Sequence, residues 1–288
     1  MKKLGLAPKL IVDLIEQQEN VEAYLKEHGI QTNTYFVPTK ERDRETLSDK
    51  VCEDLDKLIK KFQISHAVIS TEPKAHYAYL QYFITRKIPT LTDKPITCPV
   101  DVANCERRAS LIKKQYNNLL SLIDLHKTKV VVQCQRRYDI RYQWIKSTVT
   151  DLIKKYKVPV HNIQIYHSDG SFWMPDEMLV RENHPYKHGY GKLFHSGYHF
   201  IDLLTMMLSF EDLPPEKRPT SFDLISSHFS PQDQLFSMDE KFYETVFPNK
   251  TYSGEFEKWQ TGKYKKLGEL DLTTIIQGGG KEVRLNFN

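Results

Sequence analysis

The stretch TLTDKPIT, residues 90–97, places a lysine between an aspartate and a proline directly after a short apolar run. A lysine at a strand end, next to Pro95, has little freedom to move, and partial burial would lower its pKa toward neutrality. Such a group can exchange a proton with a substrate hydroxyl. Taken alone, the stretch fits a surface lysine beside a turn proline better, so a role for Lys94 depends on what surrounds it.

A second stretch with chemical potential is KLFHSGYHFIDLL, residues 192–204. His195 and His199 are four residues apart and Asp202 follows three later, so a helix would place all three on one face. Gly197 costs a helix up to about 1 kcal/mol against alanine, which indicates a close approach by backbone or ligand. The pattern fits an acid/base histidine, a zinc site, or a core helix whose polar groups are satisfied locally.

Short apolar runs alternate with amphipathic stretches through the first half of the chain. This alternation predicts parallel strands joined by crossover helices, because most of the runs are too short for helices and rich in Val, Ile and Thr. The predicted strands are residues 9–14, 34–38, 66–71, 88–93 and 129–135, and the predicted helices are residues 15–30, 44–62, 74–87 and 100–125.

The second half has a different pattern, and we place the domain boundary near residue 138. Helical periodicity returns at 140–156 and 192–209, and 160–173 alternates as a half-exposed strand does. Aromatic-rich segments then predict antiparallel strands within residues 220–230, 254–262, 270–277 and 281–287. The expected domains are residues 1–138 and residues 139–288.

Polar stretches follow three of the predicted parallel strands. ISTEPKAH follows the third strand, TDKPIT the fourth and QCQRRYD the fifth. Because ligands bind beyond the carboxyl ends of an open parallel sheet, we expect these stretches to open into one crevice. Within the first, Glu72 and His76 lie one turn apart at a helix start, which alone fits a helix cap with an exposed histidine.

The composition excludes several classes of protein. Hydrophobic residues make up 40% and charged residues 27% of 288, the balance of a soluble globular chain. A net charge of +4, with basic and acidic residues intermixed, does not favour nucleic-acid binding. The four cysteines form no metal or redox motif, which favours a reduced, cytoplasmic protein. Neither a signal peptide nor a membrane span is predicted, since FIDLLTMMLSF contains an aspartate and is too short.

The ordered set of motifs resembles the Gfo/Idh/MocA family of glucose–fructose oxidoreductase and inositol dehydrogenase-like enzymes, over about residues 9–210. TDKPIT is similar to the family's Glu-Lys-Pro motif, with Asp93 in place of the glutamate. VVVQCQRRYDIRYQ resembles its strand ending in an arginine–aromatic–aspartate run, and HSGYHFIDLL its Asp-x-Gly-x-His-x-x-Asp-Leu helix. STEPKAH resembles the loop that passes the nicotinamide side of the dinucleotide.

The resemblance implies a Rossmann-type α/β domain that binds NAD or NADP, followed by an α+β domain with an open, mainly antiparallel sheet. It implies that Lys94 and His199 are catalytic and act on a substrate hydroxyl. Asp13, at a strand end, would read the adenosine ribose, or is a plain strand-end residue. The other residues expected beside the cofactor are Ser70, Thr71, Glu72, Pro73, His76, Asp93, Lys94, Pro95 and Arg136, and those expected beside the substrate are His195, Asp202 and Tyr190.

Two departures from the family pattern stand out. The family's aspartate four residues before the helix histidine is His195 here, which leaves the substrate class open. The strand and glycine-rich turn with which the family begins find no counterpart, since LGLAP is no substitute. We therefore expect a Rossmann-type sheet that is incomplete at its N-terminus, with in-frame codons upstream of Met1 that encode a strand and a glycine-rich turn.

Three functions remain open on the sequence. The first is an NAD(P)-dependent oxidoreductase acting on a sugar, cyclitol or similar small metabolite. The second is a non-catalytic relative that binds a small molecule or a partner, with the C-terminal sheet as a surface for homo-oligomers. The third, ranked last, is a metal-dependent hydrolase using His195, His199 and Asp202, with His184 and His188 nearby.

Overall fold

The computed structural model describes residues 7–168, 172–181, 186–208, 210–248, 267–280 and 284–287. The chain divides into two compact units. The first comprises the described residues up to Pro99 together with Ser110–Gln133, and the second comprises Val100–Ala109 together with the described residues from Cys134 onward.

The first unit contains parallel strands joined by helices, as predicted. Its elements are β1 (Leu10–Leu14), α1 (Gln18–Glu27), β2 (Asn33–Val37), α2 (Asp49–Phe62), β3 (Ala67–Ile69), α3 (Pro73–Thr85), β4 (Thr90–Thr92), α4 (Glu106–His126) and β5 (Val130–Val132). Strands β1 and β2 form one parallel sheet, and β3, β4 and β5, in that order, form another.

The order of these strands is that of a doubly wound sheet with one position open. In the order 3-2-1-4-5-6 of such sheets, β2 and β1 match positions 3 and 2, and β3, β4 and β5 match positions 4, 5 and 6. No described strand is hydrogen-bonded to both β1 and β3. The parallel strands therefore lie in two sheets, where the sequence pattern predicted one.

Helix α3 holds the two sheets of the first unit together. Its residues Ala78 and Tyr82 pack with Val37, Val51 and their neighbours in one cluster. Leu80 and Ile84 of the same helix, both fully buried, belong to a second cluster with strand β3. Burying a side chain of this size contributes about 1.5 to 3 kcal/mol. The apolar helix predicted at 74–87 is thus the packing centre of this unit.

The second unit is built on a four-stranded sheet. Its elements are α5 (Ile140–Tyr156), β6 (Asn162–Ile163), α6 (Pro175–Val180), a π-helical turn (Leu193–Gly197), α7 (Tyr198–Leu208), β7 (Ser221–Phe229), α8 (Pro231–Ser237), α9 (Glu240–Val246), β8 (Asp271–Gly279) and β9 (Arg284–Phe287). The order is β6-β9-β8-β7, antiparallel except for β6 with β9. The prediction of a mainly antiparallel second sheet is confirmed.

Some boundaries differ from the predicted ones. Helix α2 begins at Asp49 instead of residue 44, because residues 39–43 form a separate 3-10 turn and Glu41 accepts the Ser48 N–H at 2.9 Å. The strand predicted over 160–173 is wrong in its length, since among the described residues of this segment only Asn162 and Ile163 pair with β9. The strand predicted at 254–262 lies outside the described residues.

None of the described helices is long and apolar enough to cross a bilayer.

Candidate active site

Lys94 lies where strand β4 ends. The Asp93 N–H donates to the Ile69 carbonyl at 2.8 Å, which ties this point to the end of the neighbouring strand β3. The Lys94 N–H donates to Asp93 Oδ1 at 2.8 Å, and the Lys94–Pro95 peptide is cis. Lys94 is half-buried. The hydrogen bonds of Asp93 and Lys94 therefore fix the backbone at this strand end.

The loop after strand β3 offers exposed hydroxyl groups and one engaged carboxylate. Ser70 and Thr71 are exposed, and Pro73 occupies the first turn of α3. The Glu72 carboxylate accepts from Arg42, whose Nε lies 3.1 Å from Oε2, and a second guanidinium nitrogen binds the other oxygen. Both oxygens of the Glu72 carboxylate are therefore bound by Arg42, in a bidentate, charge-assisted pair.

His76 joins the two loops that flank Lys94. Its Nδ1 lies 2.7 Å from the Pro95 carbonyl and its Nε2 lies 3.1 Å from the Thr71 carbonyl. The ring is 0% exposed, so the alternative of a helix cap with an exposed histidine is wrong. The buried ring can therefore influence a cofactor only through the backbone of Thr71 and Pro95, which it binds.

The protonation of His76 is set mainly by its burial. A protonated ring donates to both carbonyls, whereas a neutral ring donates to one. Desolvation nevertheless lowers the pKa of His76 below 6.5, against the opposing effect of the two backbone hydrogen bonds. Asp93 raises the pKa and Lys94 lowers it.

We expect His76 to contribute strongly to the stability of this region. Replacing His76 with alanine empties a buried site and removes the ring that hydrogen-bonds the Pro95 and Thr71 carbonyls, so the free energy of unfolding should fall by about 2 kcal/mol or more. Urea unfolding measures this, with His66→Ala as the control, because His66 is exposed and bonds only Ser65 nearby at 3.0 Å. Equal losses in both variants would contradict the role.

The same histidine predicts a pH dependence. Because its pKa is lower in the folded chain, the unfolded chain binds the proton first as the pH falls below 6.5. Stability from this group should be fully present above pH 6.5 and decline as the pH falls toward the folded pKa. A His76→Gln variant should lose this part of the slope in unfolding curves measured across that range; an unchanged slope would contradict the assignment.

Asp13 stands at the carboxyl end of β1, as predicted. Its Oδ1 accepts the Leu14 N–H at 2.7 Å, which fixes the side chain at the strand end. The strand position agrees with a carboxylate that reads a ribose hydroxyl.

His195 and His199 lie on a helix with an unusual beginning. Residues Leu193–Gly197 form a π-helical turn that continues into α7, and such turns are frequent at functional sites. A Cβ at Gly197 would meet Leu193 Cδ1 at 3.1 Å, so the close approach indicated by this glycine is made by the helix's own leucine.

His199 and His195 both pack against tyrosines. The Tyr198 hydroxyl is hydrogen-bonded to His199 Nε2, and His199 is 6% exposed. The His195 ring stands edge-on to Tyr186, with 4.5 Å between the centroids. Tyr190, expected to meet the substrate, is 1% exposed. This unit thus combines two imidazoles with phenol groups that can orient them.

Asp202, on the same helix, binds an arginine. The Arg137 Nε lies 2.9 Å from Asp202 Oδ2, and a second guanidinium nitrogen binds Oδ1. This hydrogen bonding raises the pKa of Arg137. Asp202 therefore anchors the turn over Gln135–Tyr138 to α7.

Glu269 holds the start of this helix from a distant part of the chain. Its Oε1 accepts the Leu193 N–H at 2.8 Å and its carbonyl accepts the Lys192 N–H at 2.8 Å. Burial raises the pKa of the Glu269 carboxyl, although the bond from Leu193 opposes the rise. A Cβ at Gly191 would overlap Glu269, so the glycine permits this contact.

Arg136 belongs to the second unit and stacks on an aromatic ring. Its guanidinium carbon lies 4.7 Å from the centroid of Phe200, the residue that follows His199.

Sequence reasoning missed Arg137, Tyr198 and Glu269. Arg137 and Tyr198 adjoin predicted residues in QCQRRYD and HSGYHF, so neighbouring positions in those motifs were the available signal. Glu269 carried no local signal, because its partner Leu193 is 76 residues away.

The described residues contain no group of three or more His, Cys, Asp or Glu side chains that could hold a metal ion. His184, one of the residues that kept the hydrolase alternative open, lies outside them.

Comparison with protein families finds one match. Residues 15–122 match the Gfo/Idh/MocA model, described as an oxidoreductase family with an NAD-binding Rossmann fold. No curated protein sequence matches the chain.

Solved structures with the same fold are dehydrogenases and oxidoreductases. A putative myo-inositol dehydrogenase from Sinorhizobium meliloti has 14% identity and a TM-score of 0.53, over 98% of this chain and 61% of its own length. An oxidoreductase from Agrobacterium radiobacter was solved with NAD+, L-tartaric acid and magnesium. It has 11% sequence identity and a TM-score of 0.51, over 96% of this chain and 57% of its own length. A myo-inositol dehydrogenase from Corynebacterium glutamicum has 12% sequence identity and a TM-score of 0.51, over 96% of this chain and 59% of its own length.

These structures confirm the two-part fold, and the chain spans about three fifths of their lengths. The family match confirms the resemblance recognised in the motifs. Residues 15–122 of this chain thus match the model of the Gfo/Idh/MocA oxidoreductase family, described as having an NAD-binding Rossmann fold.

Proposed function

We propose that this protein is an NAD(P)-dependent oxidoreductase that transfers a hydride between a nicotinamide cofactor and a hydroxyl or carbonyl group of a sugar, cyclitol or similar small metabolite. The observation that carries the proposal is the match of residues 15–122 to an NAD-binding family together with Lys94 at the end of β4. The cofactor-binding role belongs to residues 1–138 and the substrate-binding role to residues 139–288.

The residues at the strand ends of the first unit fit a dinucleotide. The Asp13 carboxylate and the exposed Ser70 and Thr71 hydroxyls offer the groups that bind ribose hydroxyls. Asp93 and Pro95 would flank the nicotinamide side together with Lys94. Glu72, Pro73 and His76 support this surface, since Glu72 is paired with Arg42 and the His76 ring is buried.

Lys94 and His199 are the proposed proton-handling groups. A bound nicotinamide supplies or accepts the hydride. The Lys94 ammonium donates a proton to the oxygen of a carbonyl substrate, or the neutral amine removes one from a hydroxyl. His199 is proposed as a second acid or base for a substrate hydroxyl, and Tyr198 holds its imidazole in place. A positioned acid or base of this kind contributes about a hundred- to ten-thousand-fold to the rate.

The substrate-binding role rests on the helix of the second unit. His195 is proposed to contact the substrate itself. Asp202 and Tyr190 are proposed to support the substrate site indirectly. Asp202 binds Arg137, and Tyr190 is buried. A polyhydroxylated substrate agrees with the inositol dehydrogenases among the structures of the same fold.

The proposal is tested by assaying the purified chain with NAD and NADP against a panel of sugars, cyclitols and sugar acids. Absorbance of the reduced nicotinamide measures turnover. We expect turnover with at least one polyhydroxylated compound. A folded chain that turns over no compound in the panel, in either direction of reaction, would count against the proposal and favour a non-catalytic relative that binds a small molecule or a partner.

We also propose a homo-oligomer formed through the second sheet. Among the described strands, β7 lies at the edge of that sheet, and all nine of its residues are exposed, with Leu224 66% and Ile225 60% accessible. Apolar side chains in a row on an exposed edge favour association.

A charge on β7 should therefore disrupt the oligomer. We expect wild-type protein to elute as a dimer or larger species and Ile225→Lys to elute as a monomer, measured by size exclusion with light scattering. Ser121→Lys, which places the same charge on the exposed surface of helix α4, is the control for charge alone. A monomeric wild-type protein would contradict this surface.

A cytoplasmic location is proposed from the cysteines. Cys52, Cys98, Cys105 and Cys134 form no disulfide, as expected in a reducing compartment.

A further inference from the structure

Two side chains that can carry positive charge pack around Phe200 in the second unit. The guanidinium carbon of Arg136 lies 4.7 Å from the Phe200 centroid. The His167 ring lies 4.5 Å from the same centroid, with 31° between the planes. The three residues come from the turn after β5, the segment after β6 and helix α7, and each is partly buried.

Two other arginines, Arg86 and Arg137, bind carboxylates, whereas Arg136 has no carboxylate partner among the described residues. Its neighbour Arg137 is bound by Asp202, and Arg86, which also stacks on an aromatic ring, is bound by Asp56 at 2.7 Å. Within the described ranges, no carboxylate lies within ion-pair distance of Arg136. Stacking fixes the face of its guanidinium and leaves the N–H groups at its edge for a ligand.

The chemistry of this arrangement selects a planar or tetrahedral anion. A stacked guanidinium binds a carboxylate or phosphate through two parallel hydrogen bonds. The His167 ring, from the segment after β6, can add a further hydrogen-bond donor. Phe200 follows the proposed catalytic His199 directly on α7. An anionic group bound at Phe200 would therefore be part of the molecule on which His199 is proposed to act.

We infer that Arg136, Phe200 and His167 form an anion subsite that binds an acidic group of the substrate, so that the substrate is a sugar acid or a phosphorylated sugar. This inference rests on the proposed function for its meaning, but the subsite binds without cofactor and is tested separately. It also moves Arg136 from the cofactor, where the sequence motif placed it, to the substrate.

The test measures ligand binding to the full chain by calorimetry without cofactor. The probes are D-gluconate, D-glucose 6-phosphate and the neutral D-sorbitol. We expect at least one of the two anions to bind and D-sorbitol to bind much more weakly; the preferred anion tells whether the group is a carboxylate or a phosphate. Equal binding of sorbitol and both anions, or no binding of either anion, would overturn the subsite.

Three variants locate the binding. Arg136→Gln should weaken the preferred anion by about tenfold or more, because a charge-assisted hydrogen bond is lost, and Phe200→Leu should weaken it through the lost stacking. Arg141→Gln is the matched control, since Arg141 is exposed and paired with Asp139 at 2.7 Å. Unchanged anion binding in Arg136→Gln, with the fold intact by circular dichroism, would overturn the assignment.

A parallel titration separates this inference from the proposed function. If Arg136→Gln weakens NADH and leaves anion binding unchanged, Arg136 serves the cofactor and the subsite is wrong. If the wild-type chain binds the anion but no NADH, the proposed function fails while the subsite stands.

Discussion

Replacing Lys94 with alanine should reduce turnover by about a hundred- to ten-thousand-fold while the chain stays folded. The proposal gives Lys94 the proton transfer to or from the substrate oxygen, and alanine cannot perform it. Backbone contacts hold this loop in place, namely the Asp93 N–H to Ile69 and His76 to the Pro95 carbonyl, so removing the side chain should leave the strand end intact. The rate with saturating substrate and cofactor measures the effect.

Lys60→Ala is the matched control for this variant. Lys60 is an exposed lysine of helix α2 in the same unit, and its removal should leave the rate unchanged. Circular dichroism and urea unfolding establish that both variants are folded. A Lys94→Ala variant that is folded and retains the wild-type rate would contradict the assigned role.

Replacing Gly268 with alanine should destabilise the second unit and abolish activity. A Cβ at Gly268 would overlap the backbone of Tyr190 and Gly191, and backbone yields less easily than the end of a side chain. We expect a loss of about 3 kcal/mol or more in the free energy of unfolding. The next residue, Glu269, holds Leu193 and Lys192 at the start of the histidine helix, so the displacement reaches His195 and His199.

Gly279→Ala is the control, because a Cβ there meets only Ser221 Oγ, at 3.5 Å. Thermal unfolding compares the two variants, and the assay of turnover shows whether the histidine helix has moved. If Gly268→Ala unfolds at the same temperature as Gly279→Ala and keeps its activity, the contact between the two chain segments does not position the helix.

Local sequence patterns predicted the elements of the first unit well. Apolar runs at 9–14 and 34–38 became β1 and β2 because each is short and enclosed by turn signals. The predicted helix over 44–62 matches α2 from Asp49 onward, and its residues Val51 and Leu55 are buried in one cluster. Periodicity succeeds where burial on one face decides the structure.

Long-range pairing was beyond the same patterns. The break between β1 and β3 depends on which strands are neighbours, and no periodicity reports that. The length of β6 was overestimated because alternation continues beyond the two residues that find a partner in β9.

Candidate site residues were predicted by type better than by role. Lys94 lies at a strand end as expected, but His76 is a buried link between two loops, and Asp202 is engaged by Arg137, 65 residues away in sequence. Such roles depend on hydrogen-bond partners that lie far apart in the chain.

The most direct test of the central claim is a fluorescence titration of the purified chain with NADH and NADPH. The proposal predicts saturable binding with one of the two preferred, and weaker binding in an Asp13→Ala variant, since Asp13 is placed at the ribose. A chain that is folded by circular dichroism and binds neither dinucleotide would contradict the assignment of this protein as a nicotinamide-dependent oxidoreductase.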